Sequence, residues 1–250
     1  MTTAELDRLS VVLVATRNPL NVGAAARAMS NFGFSRLRVV APYDVAFREA
    51  RSAVGAPQLL SDAEEFQNVS DAVADCSLVV GTTAAGKREL VHPLKRLEEG
   101  AVSIRQALAA NRVALLFGSE KRGLSKSDFS HCHWLMRIPT RDEHRSMNLG
   151  QAVAVCLYEL VRTEHSALAA KTTAPLAETA ELERMTQALF RALLGSGYVK
   201  HGAEKISLEK MRRLVRRMAL NREDAETWTG ALSKIELALD RGNMGVKKED

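Results

Sequence analysis

Val11-Val12-Leu13-Val14-Ala15, running into Thr16-Arg17-Asn18-Pro19-Leu20-Asn21-Val22-Gly23-Ala24-Ala25-Ala26-Arg27, is the stretch that decides the fold. An unbroken apolar run rich in valine suits a strand covered on both faces, as in a parallel sheet between helix layers. In the turn that follows, Asn21 reads as a helix N-cap, Gly23 and the three alanines give a helix start without bulk, and Gly33 supplies a left-handed stop. Helical periodicity puts Ala25, Ala28, Met29 and Phe32 on an inner face and Gly23, Ala24, Arg27, Ser30 and Asn31 on an outer one. Arg27 therefore projects away from the core near the positive end of its helix, where a phosphate or a developing alkoxide would offset the unfavourable cation.

The same alternation repeats outward. Residues 37–41, 78–81, 113–117 and 135–138 read as further strands separated by helical patterns. From 148 to about 170, Leu149, Val153, Cys156, Leu157 and Leu160 mark an amphipathic helix that closes the domain. The expectation is an α/β domain over 1–172 built on a mostly parallel sheet. Residues 166–180 are rich in Ala and Thr, with Pro175, and read as a linker with a boundary near Thr173. From there to 250 the periodicity is helical, with no strand-like runs.

The chain has 250 residues, with 35 Lys plus Arg against 30 Asp plus Glu, a net charge of +5. That excess is local. Residues 200–217 carry seven basic and two acidic side chains, a difference of +5 that equals the whole-chain value. On 208–222, Met211, Leu214, Val215 and Met218 read as the inward stripe, with Lys210, Arg213, Arg216 and Arg217 projecting outward as candidate phosphate contacts. No apolar run approaches the roughly 20 residues that cross a bilayer, and 1–8 lacks the features of an export signal, so a cytoplasmic protein is expected. Cys76, Cys132 and Cys156 are odd in number and widely spaced, which excludes a disulfide framework and fits a reducing compartment. In His131-Cys132-His133, neighbouring side chains of an extended segment point to opposite faces and no second ligand pair stands nearby, so no metal is expected.

Two more turns follow strands. In Gly118-Ser119-Glu120-Lys121-Arg122-Gly123-Leu124 the glycines have phosphate-loop spacing, but Leu124 stands where the lysine belongs and Glu120 places a carboxylate where phosphates sit. Nucleoside triphosphate binding is excluded, and G-x-G-x-x-G is absent. In 138–150, Ser146 or Asn148 suits the cap of the long helix. Strand-to-helix turns of a parallel sheet meet at its carboxyl edge, so one shared pocket is expected from all three.

Asn21-x-Gly23-x-x-x-Arg27, then Leu116-Phe117-Gly118-Ser119-Glu120-x-x-Gly123-Leu124, then Ile138-Pro139 with Ser146-Met147-Asn148-Leu149, resembles the SpoU/TrmH family of S-adenosylmethionine-dependent RNA 2′-O-methyltransferases of the SPOUT superfamily. With Cys76-Ser77-Leu78-Val79-Val80-Gly81-Thr82 and the helical extension, it is most similar to the TrmJ group, which methylates nucleotide 32 of the tRNA anticodon loop. The resemblance implies a trefoil-knotted sheet and a homodimer. It implies a methyl donor held by Thr82, Thr83, Ala84, Gly118, Ile138, Arg145, Ser146 and Met147, and tRNA contacts by Asn21, Arg27 and the basic helix. It also casts Arg27 as the base. Guanidinium groups keep their proton throughout the physiological range, so an anchor for phosphate and alkoxide is the chemically preferred role. Ser146 then orients the hydroxyl, Asn148 fixes its loop, and Glu120 holds Arg27 or Arg122. The alternatives are a ribosomal RNA 2′-O-methyltransferase and a non-catalytic RNA-binding protein with the same fold.

Overall fold

The structure is a computed structural model that describes residues 1–42, 56–84, 91–162, 175–200 and 202–246. It divides into two compact units, Met1–Thr173 and Ala174–Asp250. In the first, the elements run α1 (Thr3–Leu6), β1 (Leu9–Val14), α2 (Pro19–Phe32), β2 (Arg36–Val40), α3 (Pro57–Ser61), β3 (Glu64–Phe66), α4 (Val69–Ala72), β4 (Leu78–Thr82), β5 (Leu94–Arg96), α5 (Leu97–Leu108), β6 (Val113–Phe117), α6 (Lys126–Ser130), β7 (Trp134–Arg137) and α7 (Leu149–Val161).

Seven strands form one sheet in the order β3-β2-β1-β6-β4-β7-β5. Every pairing is parallel. β6 is inserted between β1 and β4, pairing Leu13 with Phe117 on one side and Gly81 with Leu116 on the other. β7 is likewise inserted between β4 and β5. Placing late strands between early ones is the order a knotted sheet requires, and it defeats the usual rule that connections do not thread. Part of the connection between β4 and β5, 85–90, lies outside the described residues.

Strand alternation sorts the core into two layers. Leu9, Val11, Leu13 and Leu115 pack on one side with Val22, Ala25 and Met29 of α2, Ile104 and Leu108 of α5, and Val153, Cys156 and Leu157 of α7. Val12, Val14, Val79, Leu116 and Leu135 pack on the other with Val69, Val73 and Phe129. Both faces are covered, which is why these strands are unbroken apolar runs. β3 and β5 escaped the sequence reading because each has three residues, carries charge and lies at a sheet edge, where exposed polar side chains are normal.

α2 starts earlier than expected. Its N-cap is Asn18, whose Oδ1 accepts from the backbone N–H of Leu20 at 2.9 Å, with Pro19 at the first helical position. Asn21 is thereby released from capping and sits buried in the first turn. Gly33 ends the helix at φ +79°, as its lack of a side chain allows. The closing helix is described only to Val161, and the linker reading falls mainly on 163–174, outside the described residues.

The second unit holds α8 (Thr179–Gly195), α9 (Glu204–Arg217) and α10 (Arg222–Val246) around Leu182, Met185, Ala188, Val215, Ala225 and Leu232. Here one expectation is overturned. Arg216 does not project outward: it is 1% exposed, and Arg212 is 9% exposed. The buried face of α9 is Met211, Arg212, Val215 and Arg216, whereas Leu214 and Met218 lie exposed. Glu183 on α8 is the physical reason. Arg212 donates to its two oxygens at 2.9 Å each and Arg216 at 3.4 Å, so a carboxylate inside the unit draws both guanidiniums in. Burial pushes the Glu183 carboxyl up, but its bonds and charge interaction with Arg212 win and bring it down to about 2. Lys210 and Arg217 remain exposed, and Arg213 is half-buried.

Candidate active site

The carboxyl ends of β4, β6 and β7 release three segments that enclose a cavity of about 480 Å³. The first is pinned to its neighbours: the Thr82 hydroxyl donates to the Leu116 carbonyl at 2.8 Å and the Thr83 N–H to the Met136 carbonyl at 2.9 Å. The second is a closed turn in which Gly123 N–H donates to the Ser119 carbonyl at 2.7 Å. Gly123 adopts φ +64°. A β-carbon on Gly118 would lie 2.1 Å from Gly123 C and from Leu124 N, so no larger residue fits. The third, after β7, is steadied by the Thr140 hydroxyl donating to the Arg145 carbonyl at 3.2 Å.

The cavity has two characters. Leu124, Phe129, Met136, Ile138, Leu149 and Ala152 make an apolar wall, while Glu120, Lys121, Arg122, Arg145 and Ser146 supply polar groups. Ser146 is exposed and its hydroxyl has no hydrogen-bond partner among the described residues.

A chain of side-chain amides ties the turns after β6 and β7 to the first turn of α2. Asn21 Nδ2 donates to Glu120 Oε1 at 2.8 Å, and Asn148 Nδ2 donates to Asn21 Oδ1 at 2.8 Å. Asn148 Oδ1 in turn accepts from Gln151 N–H at 3.3 Å, capping α7. Because a carboxylate only accepts, Glu120 dictates which way both amides face. Burial pushes Glu120 up, but the Asn21 amide and the backbone N–H groups of Glu120, Arg17 and Asn18 hold it below the usual carboxylate value. Glu120 thus binds Asn21 and the turn backbone, and Arg122, one of its expected partners, makes no hydrogen bond or ion pair among the described residues.

Arg27 does not line the cavity. It is exposed on α2, six residues and hence about 9 Å along the axis from Asn21. Gly150 at the start of α7 packs so closely on Ala24 that an added β-carbon would lie 2.5 Å from the Ala24 side chain. Helical side chains lean toward the N-terminus, so Arg27, one turn past Ala24, leans toward this junction.

All eight residues expected around a methyl donor, Thr82, Thr83, Ala84, Gly118, Ile138, Arg145, Ser146 and Met147, line this one cavity, as does Glu120. Asn21 and Asn148 join it through hydrogen bonds. Lys210, Arg213, Arg216 and Arg217 belong to the other unit. Phe129 and Ala152 were missed: one sits in a five-residue helix and the other one turn into α7, and neither carries a local signal. Lys121 was in plain view inside a quoted motif but had no role, and Arg122 was expected only as a partner of Glu120. The His131-Cys132-His133 segment is structural, with His133 Nδ1 accepting from Val79 N–H at 3.0 Å. Among the described residues no group of three or more His, Cys, Asp or Glu is placed to hold a metal.

A wholly parallel sheet with late strands inserted among early ones, and a cavity enclosed by the segments after three of its strands, defines an α/β protein with a small-molecule-sized site at the carboxyl edge of the sheet. Residues 8–158 match the SpoU rRNA methylase family, and the chain belongs to that family. Among curated proteins, the tRNA (cytidine/uridine-2′-O-)-methyltransferase TrmJ of Sodalis glossinidius is 33% identical over 92% of each chain. The tRNA (cytidine/uridine/adenosine-2′-O-)-methyltransferase TrmJ of Pseudomonas aeruginosa is 34% identical over 98% of this chain and 99% of its own. The crystal structure of TrmJ from Z. mobilis ZM4 superposes with a TM-score of 0.78 at 32% identity, covering 91% of this chain and 98% of that one.

Proposed function

We propose that this chain transfers a methyl group from S-adenosylmethionine to a ribose 2′-hydroxyl of tRNA, at the cytidine or uridine of nucleotide 32. The observation that carries the reading is the convergence of the segments after β4, β6 and β7 on one cavity, the last two of them locked to α2 by the Glu120–Asn21–Asn148 relay. Relatives that carry the tRNA methyltransferase name match both units of the chain, which favours tRNA over other RNA.

The donor fits the residues present. A volume of about 480 Å³ is in the range of small-molecule sites, and the absent side chain of Gly118 leaves a backbone cradle. The apolar wall suits an adenine ring, and the backbone of 82–84, 118 and 138 with Arg145, Ser146 and Met147 would hold the rest. When bound, the donor supplies an electrophilic methyl on sulfonium. What remains for the protein is to position the ribose and manage one proton. The Ser146 hydroxyl, without a hydrogen-bond partner among the described residues, orients the 2′-hydroxyl and passes its proton to solvent water as the oxygen–methyl bond forms and the sulfur–methyl bond breaks. Arg27 anchors a neighbouring phosphate and stabilises the developing alkoxide. The relay keeps α2, which carries Arg27, in register with the Ser146 loop.

Incubating the purified protein with total tRNA and methyl-labelled donor, then mapping the labelled sugar, tests the whole reading. Label at nucleotide 32 is expected. No label in tRNA, or label only in ribosomal RNA, refutes it. We also propose a homodimer, since Leu20 on α2 and Tyr158 on α7 present exposed apolar side chains. A monomeric mass in sedimentation counts against that.

A further inference from the structure

Glu120, Lys121 and Arg122 are consecutive at the tip of the turn between β6 and α6, yet the fold treats their charges differently. The carboxylate is engaged by the Asn21 amide and by backbone N–H groups, including that of Arg17. Lys121 and Arg122 are exposed and have no hydrogen bond or ion pair among the described residues, and the same holds for the Arg17 side chain. Their carrier is rigid. The turn is closed by the bond from Gly123 to Ser119, and the crowding of Gly118 against Gly123 and Leu124 leaves it no slack. Lys121 and Arg122 also line the rim of the cavity. Lys121 and Arg122 are therefore presented at the cavity, Arg17 is tied to the same turn through its backbone N–H bond to Glu120, and the carboxylate that might neutralise them is already engaged.

Exposed cations carried on one rigid turn and on the segment tied to it raise the local positive potential, and a polyanion with regularly spaced phosphates is the ligand that complements it. We propose that Arg17, Lys121 and Arg122 form a phosphate-binding knuckle that grips the RNA backbone next to the ribose entering the cavity and so sets which nucleotide is presented. This rests on the RNA methylation reading above. Arg17 and the turn reach the same strand because Glu120 joins them.

The test is made on the full chain with Lys121→Ala/Arg122→Ala. Its affinity for tRNA is measured from about 50 to 200 mM salt, beside steady-state kinetics. Each lost phosphate contact lowers the log–log salt slope by about 0.7–0.9, so a fall of about 1.4–1.8 is expected, with KM for tRNA raised about tenfold and kcat reduced much less. Lys121→Arg/Arg122→Lys should restore the slope, and Arg17→Ala should remove about one contact more. Where the double variant folds poorly by circular dichroism, the single Gln variants at 121 and 122 give half the effect each. An unchanged slope in a variant of an active wild type overturns the knuckle alone, as does a loss confined to kcat. A wild type that neither binds nor methylates RNA overturns the functional reading with it.

Discussion

Arg38 illustrates what one buried charge demands. It lies on β2 at 3% exposure, donates to both oxygens of Asp75 at 2.6 and 2.9 Å, and gives a third bond to the Ala72 carbonyl at 2.8 Å. The Arg38 guanidinium outweighs burial and holds the Asp75 carboxyl well below the usual range. Arg38→Met should therefore cost about 2–4 kcal/mol in urea unfolding, because Asp75 keeps only the exposed Arg112 and the weak thiol donor of Cys76. Glu183 predicts a pH effect. Its carboxyl titrates near 2 in the folded unit against 4.5 for the free group. A depressed value means the stability is fully present above pH 4.5 and fades as pH falls toward 2. Glu183→Gln should flatten that part of an acid unfolding curve followed by circular dichroism, with the full loss of stability above pH 4.5 and a shrinking difference from wild type toward pH 2. At the site, Arg27→Ala is expected to lower methyl transfer by about a hundredfold or more while calorimetry finds donor binding intact. A wild-type rate would remove Arg27 from the proposed chemistry.

Turns and helices set the cavity, and two glycines show how closely. Gly118→Ala forces the turn open because the obstruction is backbone, not a flexible side chain. Donor binding should fall by at least about tenfold in calorimetry, with a stability cost of about 1–3 kcal/mol. Gly150→Ala pushes α7 off Ala24 of α2 and loosens the Asn148–Asn21 bond at the same junction. In α9 the inner face was misjudged by about 100°, one residue's rotation around the helix. Periodicity alone cannot see Glu183, and without it arginine belongs outside.

At the scale of the whole molecule, the two units have separate cores, one around the sheet and one around Leu182, Met185 and Val215. A chain ending at Leu168 should keep donor binding yet bind tRNA more weakly and with a flatter salt dependence, because Lys210, Arg213 and Arg217 leave with the helices. An unchanged slope on truncation would mean that these cations face away from the RNA. In the proposed function the unit that carries the cavity holds the reactive geometry and the other adds charge, so loss of the second should raise KM more than it lowers kcat.

Sequence alone determined the central strands 113–117 and 78–81, the helix ended by Gly33, the helix that begins at Leu149, and the meeting of the turns after β6 and β7 at one cavity, because burial on both faces and turn chemistry are local properties. The turn after β1 joins them through hydrogen bonds to Glu120 and Asn148 and lines no part of the cavity. Ser146 and Gly118 could be picked out in the same way. Only the tertiary structure decided that β6 and β7 enter between earlier strands, that Asn18 takes the cap and frees Asn21 to bridge Glu120 and Asn148, and that Arg212 and Arg216 turn inward. Each of these depends on a partner about 30 to 130 residues away, and a carboxylate that distant leaves no mark on the periodicity of the segment it captures.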